Sequence, residues 1–155
     1  MNGIKPHITT VLPHNSKGAR RLKEPAFSAI FSKIKKYLKR GYLTIKPRCE
    51  INSLIDYFAV PKGEDDIRVV FNGTSCGLND CLWSQNFWLP TANSLVRSVV
   101  FDCKFVDLDL GEMFLNFPLH KSLVSYSGVD LTPFRQQLLE SGVISCPAPK
   151  RLSAV

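Results

Sequence analysis

The sequence predicts an α+β fold, and three stretches carry that expectation. Phe27, Ile30, Phe31, Ile34, Tyr37 and Leu38 recur at three- and four-residue spacing, the period of an amphipathic helix. Residues 54–60 (LIDYFAV) and 67–71 (IRVVF) are β-prone runs joined by the polar stretch Pro61 to Asp66, which reads as a hairpin. Residues 105–110 (FVDLDL) alternate, with Val106, Leu108 and Leu110 on one face of an extended segment and Phe105, Asp107 and Asp109 on the other.

The first helix is bounded by Pro25, which suits a first turn, and by Gly41, which suits an end. Lys33, Lys35, Lys36, Lys39 and Arg40 fall on its polar side and last turn, where cations complement the helix dipole, and a solvated face is expected for them. Residues 42–46 (YLTIK) predict a short strand, and Asn72 to Asn79 a turn-rich loop that lacks the lysine and spacing of a P-loop. Trp83, Phe87 and Trp88 could stack on bases, but beside apolar neighbours they are expected in the core. Thr91 can cap a short helix through Val100, with Leu95, Val96, Val99 and Val100 on its apolar side and Arg97 in solvent. Leu123 to Val129 reads as a strand beside the aspartate-bearing one. Thr132 or Pro133 then opens a helix containing Phe134, Leu138 and Leu139, and residues 141–155 read as an irregular tail.

At 155 residues and 45% hydrophobic, the chain is expected to be one domain or part of a larger one with a buried core. No apolar run approaches the roughly 20 residues of a membrane span, and MNGIKPHITT has no apolar signal core, so an intracellular protein is expected, in cytoplasm or nucleus. Cys49, Cys76, Cys81, Cys103 and Cys146 form no CxxC pair, which favours reduced, at least half-buried thiols over a zinc site. The net charge of +7 is uneven: residues 1–48 carry twelve Lys/Arg against one acid, Glu24, and the remainder eight against twelve. A basic arm on a mildly acidic body suits a polyanionic partner as well as a solvated surface.

Two carboxylates on one face of a strand repel each other unless a cation neutralises them, and a divalent metal does this economically. Gly111 follows as a turn or close-approach position, and Glu112 to Leu115 reads as one helical turn ended by Pro118.

The run Asp109 to Leu119 (DLGEMFLNFPL) resembles the first catalytic motif of reverse transcriptases, in which an aspartate ends a palm strand and a Pro-Leu pair follows nine and ten residues later. The resemblance implies that Asp109 binds Mg2+ through its carboxylate and Leu110 through its backbone carbonyl. It implies further that Gly111 and Glu112 meet the incoming triphosphate, the latter through its backbone amide. Phe114 would be the aromatic ring under the sugar that excludes a 2′-hydroxyl. The segment VPKGEDDIRVVFNGTSCGLN resembles the fingers hairpin of the same family, which makes Lys62 and Arg68 the cations that grip the triphosphate, Arg68 through a planar fork.

On this resemblance the chain comprises a flexible basic leader (1–24), a fingers-like region (25–100), a partial palm (101–140) and the tail (141–155), the fingers and incomplete palm of a right-hand polymerase. No Tyr-x-Asp-Asp turn follows, and one carboxylate does not hold the two ions that polymerases use. The expectation is therefore a truncated or decayed copy of a retroelement RNA-directed DNA polymerase, inactive alone. Its partners would be an RNA or DNA template-primer, a deoxynucleoside triphosphate and a missing C-terminal half, with no membrane. A non-catalytic basic nucleic-acid-binding module is the alternative. An Asp-x-Asp pair also occurs in manganese-dependent glycosyltransferases and in aspartate-nucleophile phosphatases, but the first needs an upstream nucleotide-binding α/β region and the second a following Gly-Thr or Gly-Val.

Overall fold

The apolar stripe of residues 27–38 forms helix α1 (Ala26–Lys39) and lays Ile30, Ile34 and Tyr37 into the core. Gly41 follows in the left-handed conformation (φ 72°), which lets the chain reverse at the helix end without a Cβ clash. Pro25, the expected first-turn residue, lies outside the described residues. The computed structural model describes residues 5–17, 26–84, 86–104, 106, 109–145 and 151–155.

Two antiparallel sheets complete an α+β arrangement. Strands β2 (Asp56–Lys62) and β3 (Asp66–Asn72) form the expected hairpin, with Tyr57 opposite Phe71, Val60 opposite Arg68 and Lys62 opposite Asp66. The strands run further toward the tip than the sequence implies, so that only residues 63–65 turn, with Gly63 at φ 69°. Tyr57 and Val69 are buried on the core face, and Lys62, Asp66 and Arg68 share the opposite face by their register.

The second sheet has the order β1-β5-β4, from β1 (Ile45–Pro47), β5 (Leu152–Ala154) and β4 (Val129–Asp130). Its centre is the stretch expected to be an irregular tail. Leu152, Ser153 and Ala154 are buried and pair with Pro47, Lys46 and Ile45 on one side, and Ser153 and Ala154 with Asp130 and Val129 on the other. Short length and two preceding prolines hide this strand in the sequence, although a buried central strand needs only a few small or apolar residues. The core joins Ile30, Ile34, Tyr57, Val129, Leu131, Phe134, Leu138 and Leu152, with the rings of Phe27 and Phe134 4.7 Å apart.

The expected strand at Leu123–Val129 is instead a helical turn α3 (Lys121–Val124), a bend, and then β4; α2 (Ala92–Arg97) precedes it and α4 (Arg135–Glu140) follows. Gly128 passes so close to Ser53 and Ile51 that a Cβ there would strike the Ile51 side chain, which explains glycine where Leu54 and Gly128 bridge. Thr91 caps α2, accepting a hydrogen bond from the Ser94 amide at 3.2 Å, as expected.

The apolar side of α2 is exposed, as are Trp83, Phe87 and Trp88, which corrects the expectation that these aromatics lie in the core. Trp83 meets the His7 ring edge-on, with centroids 5.8 Å apart. The leader is held at two places: the Thr9 amide donates to the Cys81 carbonyl and the Trp83 amide to that of His7, both at 2.9 Å, and the Leu54 amide donates to the Asn15 carbonyl at 2.9 Å. Residues 5–17 are thus tied to the body rather than free. Cys81 is buried, but Cys49 and Cys103 are exposed, and all four described cysteines are free thiols. Among the described residues, no helix is long and apolar enough to cross a membrane.

Candidate functional site

A cavity of about 710 Å³ lies between β3, α1 and residues 109–115, within the size range of small-molecule sites. Six consecutive residues of β3, Asp66 to Phe71, line it. Side chains alternate faces along a strand, so an unbroken run of lining residues means that the cavity follows the strand's edge, and β3 pairs only with β2 in its sheet. Lys33 and Tyr37 of α1 line it as well, and the chain from Asp109 to Leu115 forms the facing wall.

All seven residues singled out in the sequence border this one space: Lys62, Arg68, Asp109, Leu110, Gly111, Glu112 and Phe114. The strand expected to carry Asp109 is absent among the described residues. Val106, Asp109 and Leu110 belong to no strand and are exposed, and Phe105, Asp107 and Leu108 lie outside the described residues. A strand needs a neighbour for its backbone groups. The segment expected to supply one forms α3 and then pairs as β4 with β5 instead.

The turn that follows is built differently from the sequence reading. Gly111 has open space where a Cβ would stand and does not adopt a positive φ; the left-handed residue is Glu112, at φ 55° and ψ 39°. That conformation is uncommon for a residue with a long side chain and is held by contacts on both sides. The Glu112 carboxylate pairs with Lys36 Nζ at 2.6 Å, and its other oxygen, Oε2, is buried with no hydrogen-bond partner. Asn116 Nδ2 donates to the carbonyls of Gly111 at 3.2 Å and Glu112 at 3.3 Å, while Asn116 Oδ1 accepts from the Tyr42 hydroxyl at 3.0 Å. A 3-10 helix, Met113–Asn116, follows and ends two residues before Pro118, one residue along from the helical turn expected at Glu112 to Leu115. Phe114 is 83% exposed at the rim.

The cavity's charges divide into committed and uncommitted groups. Lys33 pairs with Asp66 at 2.7 Å, and this bond, with the Ile67 amide and the Lys62 charge adding to it, holds the Asp66 carboxyl below its ordinary value. Burial, and then the negative charges of Glu112 and Asp66, push the Tyr37 phenol up, so it remains protonated. Lys62, Arg68 and Asp109 have no ion-pair partner among the described residues. Two uncommitted cations and one uncommitted carboxylate facing one space complement an anion that carries a divalent metal. Among the described residues no three potential metal ligands cluster. Magnesium is commonly held by one or two carboxylates together with substrate phosphates, and the donors present, the Asp109 carboxylate and a backbone carbonyl beside it, fit one ion bound in that way.

Sequence reading missed Lys33, Lys36, Tyr37, Tyr42 and Asn116 as parts of this site. Lys36 and Glu112 are 76 residues apart and Tyr42 and Asn116 are 74 apart, and no local pattern encodes such pairings. Compared with known proteins, the chain matches no family model and no curated protein.

Proposed function

We propose that this chain forms the nucleotide-binding fingers and first palm motif of a reverse-transcriptase-like polymerase, and that its cavity takes a deoxynucleoside triphosphate with Mg2+. The carrying observation is that Lys62 and Arg68 on the hairpin and Asp109 to Phe114 on the opposite segment border one cavity although some 40 residues separate them in sequence. In this reading Arg68 and Lys62 bind the phosphates, and Asp109 with the Leu110 carbonyl holds Mg2+, which would supply charge neutralisation at the phosphates. The backbone at Gly111–Glu112 meets the triphosphate. Phe114 at the rim excludes a 2′-hydroxyl by contact with the sugar. Among the described residues Asp109 is the carboxylate at this cavity without an ion-pair partner, so binding without nucleotidyl transfer is the activity proposed for the chain alone.

Titration with dTTP in the presence and absence of Mg2+ tests the reading. Metal-dependent binding that weakens at least tenfold in Arg68→Ala and in Asp109→Asn is expected, with no extension of a primed RNA template. Absence of dTTP binding, or affinity unchanged in both variants, overturns it. Robust primer extension lost in Asp109→Asn would overturn the incomplete-centre part.

A second reading, a non-catalytic nucleic-acid-binding module, is favoured by the exposure of Trp83, Phe87 and Trp88, whose rings are available for base stacking. It requires salt-dependent binding of single-stranded RNA or DNA that weakens in Trp83→Ala and Trp88→Ala and is indifferent to Asp109→Asn.

A further inference from the structure

Three features outside the direct nucleotide contacts stand out: the exposed apolar surface of residues 83–101, a shallow groove beside Lys35 and Lys39, and the bonds that fix the Gly111–Glu112 turn. Nothing in the structure shows what covers the first or occupies the second. The third has named partners at defined distances. The turn hangs from α1 and the residues just after it by two independent links. Lys36 grips the Glu112 carboxylate at 2.6 Å, and the Tyr42 hydroxyl orients the Asn116 amide at 3.0 Å, which in turn donates to both turn carbonyls.

The Tyr42 ring lies 6.3 Å from that of Tyr37, which lines the cavity, so the anchor point belongs to the packed end of α1. The turn itself contributes little of its own rigidity. Gly111 has no side chain, Glu112 sits in an uncommon backbone conformation, and Asp109 and Leu110 before it are exposed and belong to no sheet. The polar side chains that fix the Gly111–Glu112 turn are therefore those of Lys36, Tyr42 and Asn116, while Leu115 packs the far end of the wall against the core.

We propose that Lys36, Tyr42 and Asn116 are positioning residues: they anchor the Gly111–Glu112 turn to α1 and so set where Asp109 and Leu110 stand relative to Arg68 across the cavity. The Glu112 side chain is part of this tether through its bond to Lys36. The effect on ligand rests on the nucleotide reading above; the tether itself does not. In this arrangement Lys36 and Asn116 touch neither phosphate nor metal and act through the turn alone.

Amide hydrogen exchange of the full chain at Gly111–Leu115, read beside dTTP affinity with Mg2+, tests it. Lys36→Ala and Asn116→Ala should each speed exchange in this segment while leaving that of α4 unchanged, and should weaken dTTP about fivefold, the loss of one charge-assisted or amide hydrogen bond. Lys36→Arg, which keeps the cation, should restore both readouts, and Tyr42→Phe should show a smaller effect in the same direction. Exchange at Gly111–Leu115 unchanged in both alanine variants overturns the tether, as does loss of protection throughout the chain in Lys36→Arg as well as in Lys36→Ala. If wild type binds no dTTP while exchange responds as described, the tether is supported and the nucleotide reading is the one that fails.

Discussion

Lys33 and Lys36 stand three residues apart on one side of α1 and pair with opposite walls of the cavity, the first with Asp66 on the hairpin at 2.7 Å and the second with Glu112 on the facing turn at 2.6 Å. Residues at this spacing are neighbours on a helix surface, so one helical turn braces both sides of the space. The lysine-rich face expected to be merely solvated is thus divided. Lys35, Lys39 and Arg40 are exposed, while Lys33 and Lys36 are half-buried and committed.

The Lys33–Asp66 pair gives a pH dependence of definite sign. Asp66 has its carboxyl lowered chiefly by the Lys33 hydrogen bond, so its contribution is present above the ordinary carboxylate value of 3.8 and is lost as the pH falls through the lowered value in the folded chain. Urea midpoints of wild type and Asp66→Asn should differ at pH 7 and converge near pH 2. Asp66 is open to water, so the difference should be small and should shrink further in high salt. A difference that grows on acidification would contradict the assignment.

Tyr57 should govern stability at the other end of the pH scale. Its hydroxyl donates to the Asp130 carbonyl at 2.7 Å across the join between the hairpin and β4, and burial, followed by the Asp130 charge, pushes its phenol up from 10.0. A group with a raised folded pKa stabilises fully below its unfolded value and loses that contribution as the pH rises above it. Wild type should therefore lose stability steeply above pH 10. Tyr57→Phe should be about 1 kcal/mol less stable at pH 7 and should lose less between pH 10 and 11, read by denaturant midpoints. Equal slopes for the two proteins would remove Tyr57 as the cause.

Strand β5, only three residues long, carries a disproportionate share of the fold. Leu152 is 1% exposed and packs in the same core as Phe134, which is fully buried. Leu152→Ala should cost about 2–5 kcal/mol and Phe134→Ala about 3–5 kcal/mol, each a large part of the stability of an ordinary domain. Removal of residues 151–155 should abolish cooperative unfolding, because it takes the middle strand from between β1 and β4. A cooperative transition retained in that shortened chain would show β5 to be dispensable.

What the sequence made legible follows from range. Local rules located α1 through its apolar period, the hairpin through its turn chemistry, and the Thr91 cap through its hydroxyl, since each depends on residues a few positions apart. Lys62, Arg68 and Asp109 were singled out through the resemblance to reverse transcriptases, and they do share a cavity. The alternating pattern at 105–110 falls partly outside the described residues; Val106, Asp109 and Leu110 belong to no strand, and alternation describes one strand's faces without saying whether a neighbour exists to pair with it. β5 went unseen for the reverse reason: Leu152–Ala154 has too few residues for any period, and its strand character comes from partners more than 20 residues away. The tether through Lys36 and Asn116 belongs to the same long-range class.

The exposed aromatics yield the last prediction. Trp83 is 56% exposed and Trp88 74%, and Phe87 and Phe101 are exposed more fully still. Sequence reading assigned the tryptophan-rich segment to the core because large aromatic rings usually dominate cores, yet these rings and the apolar residues of α2 are exposed. A chain with so much apolar surface in one stretch should associate readily, since exposed patches of this kind exceed what monomers ordinarily tolerate. Both tryptophans should be quenched by acrylamide in the folded chain almost as effectively as in urea, and the folded chain should bind a hydrophobic dye. Phe101→Ser and Trp88→Ser should reduce both dye binding and association while changing the unfolding free energy by no more than about 0.5 kcal/mol, the range for substitutions away from packed contacts. Loss of several kcal/mol in either variant would mean that the side chain is buried in solution, and the core assignment read from the sequence would then be restored.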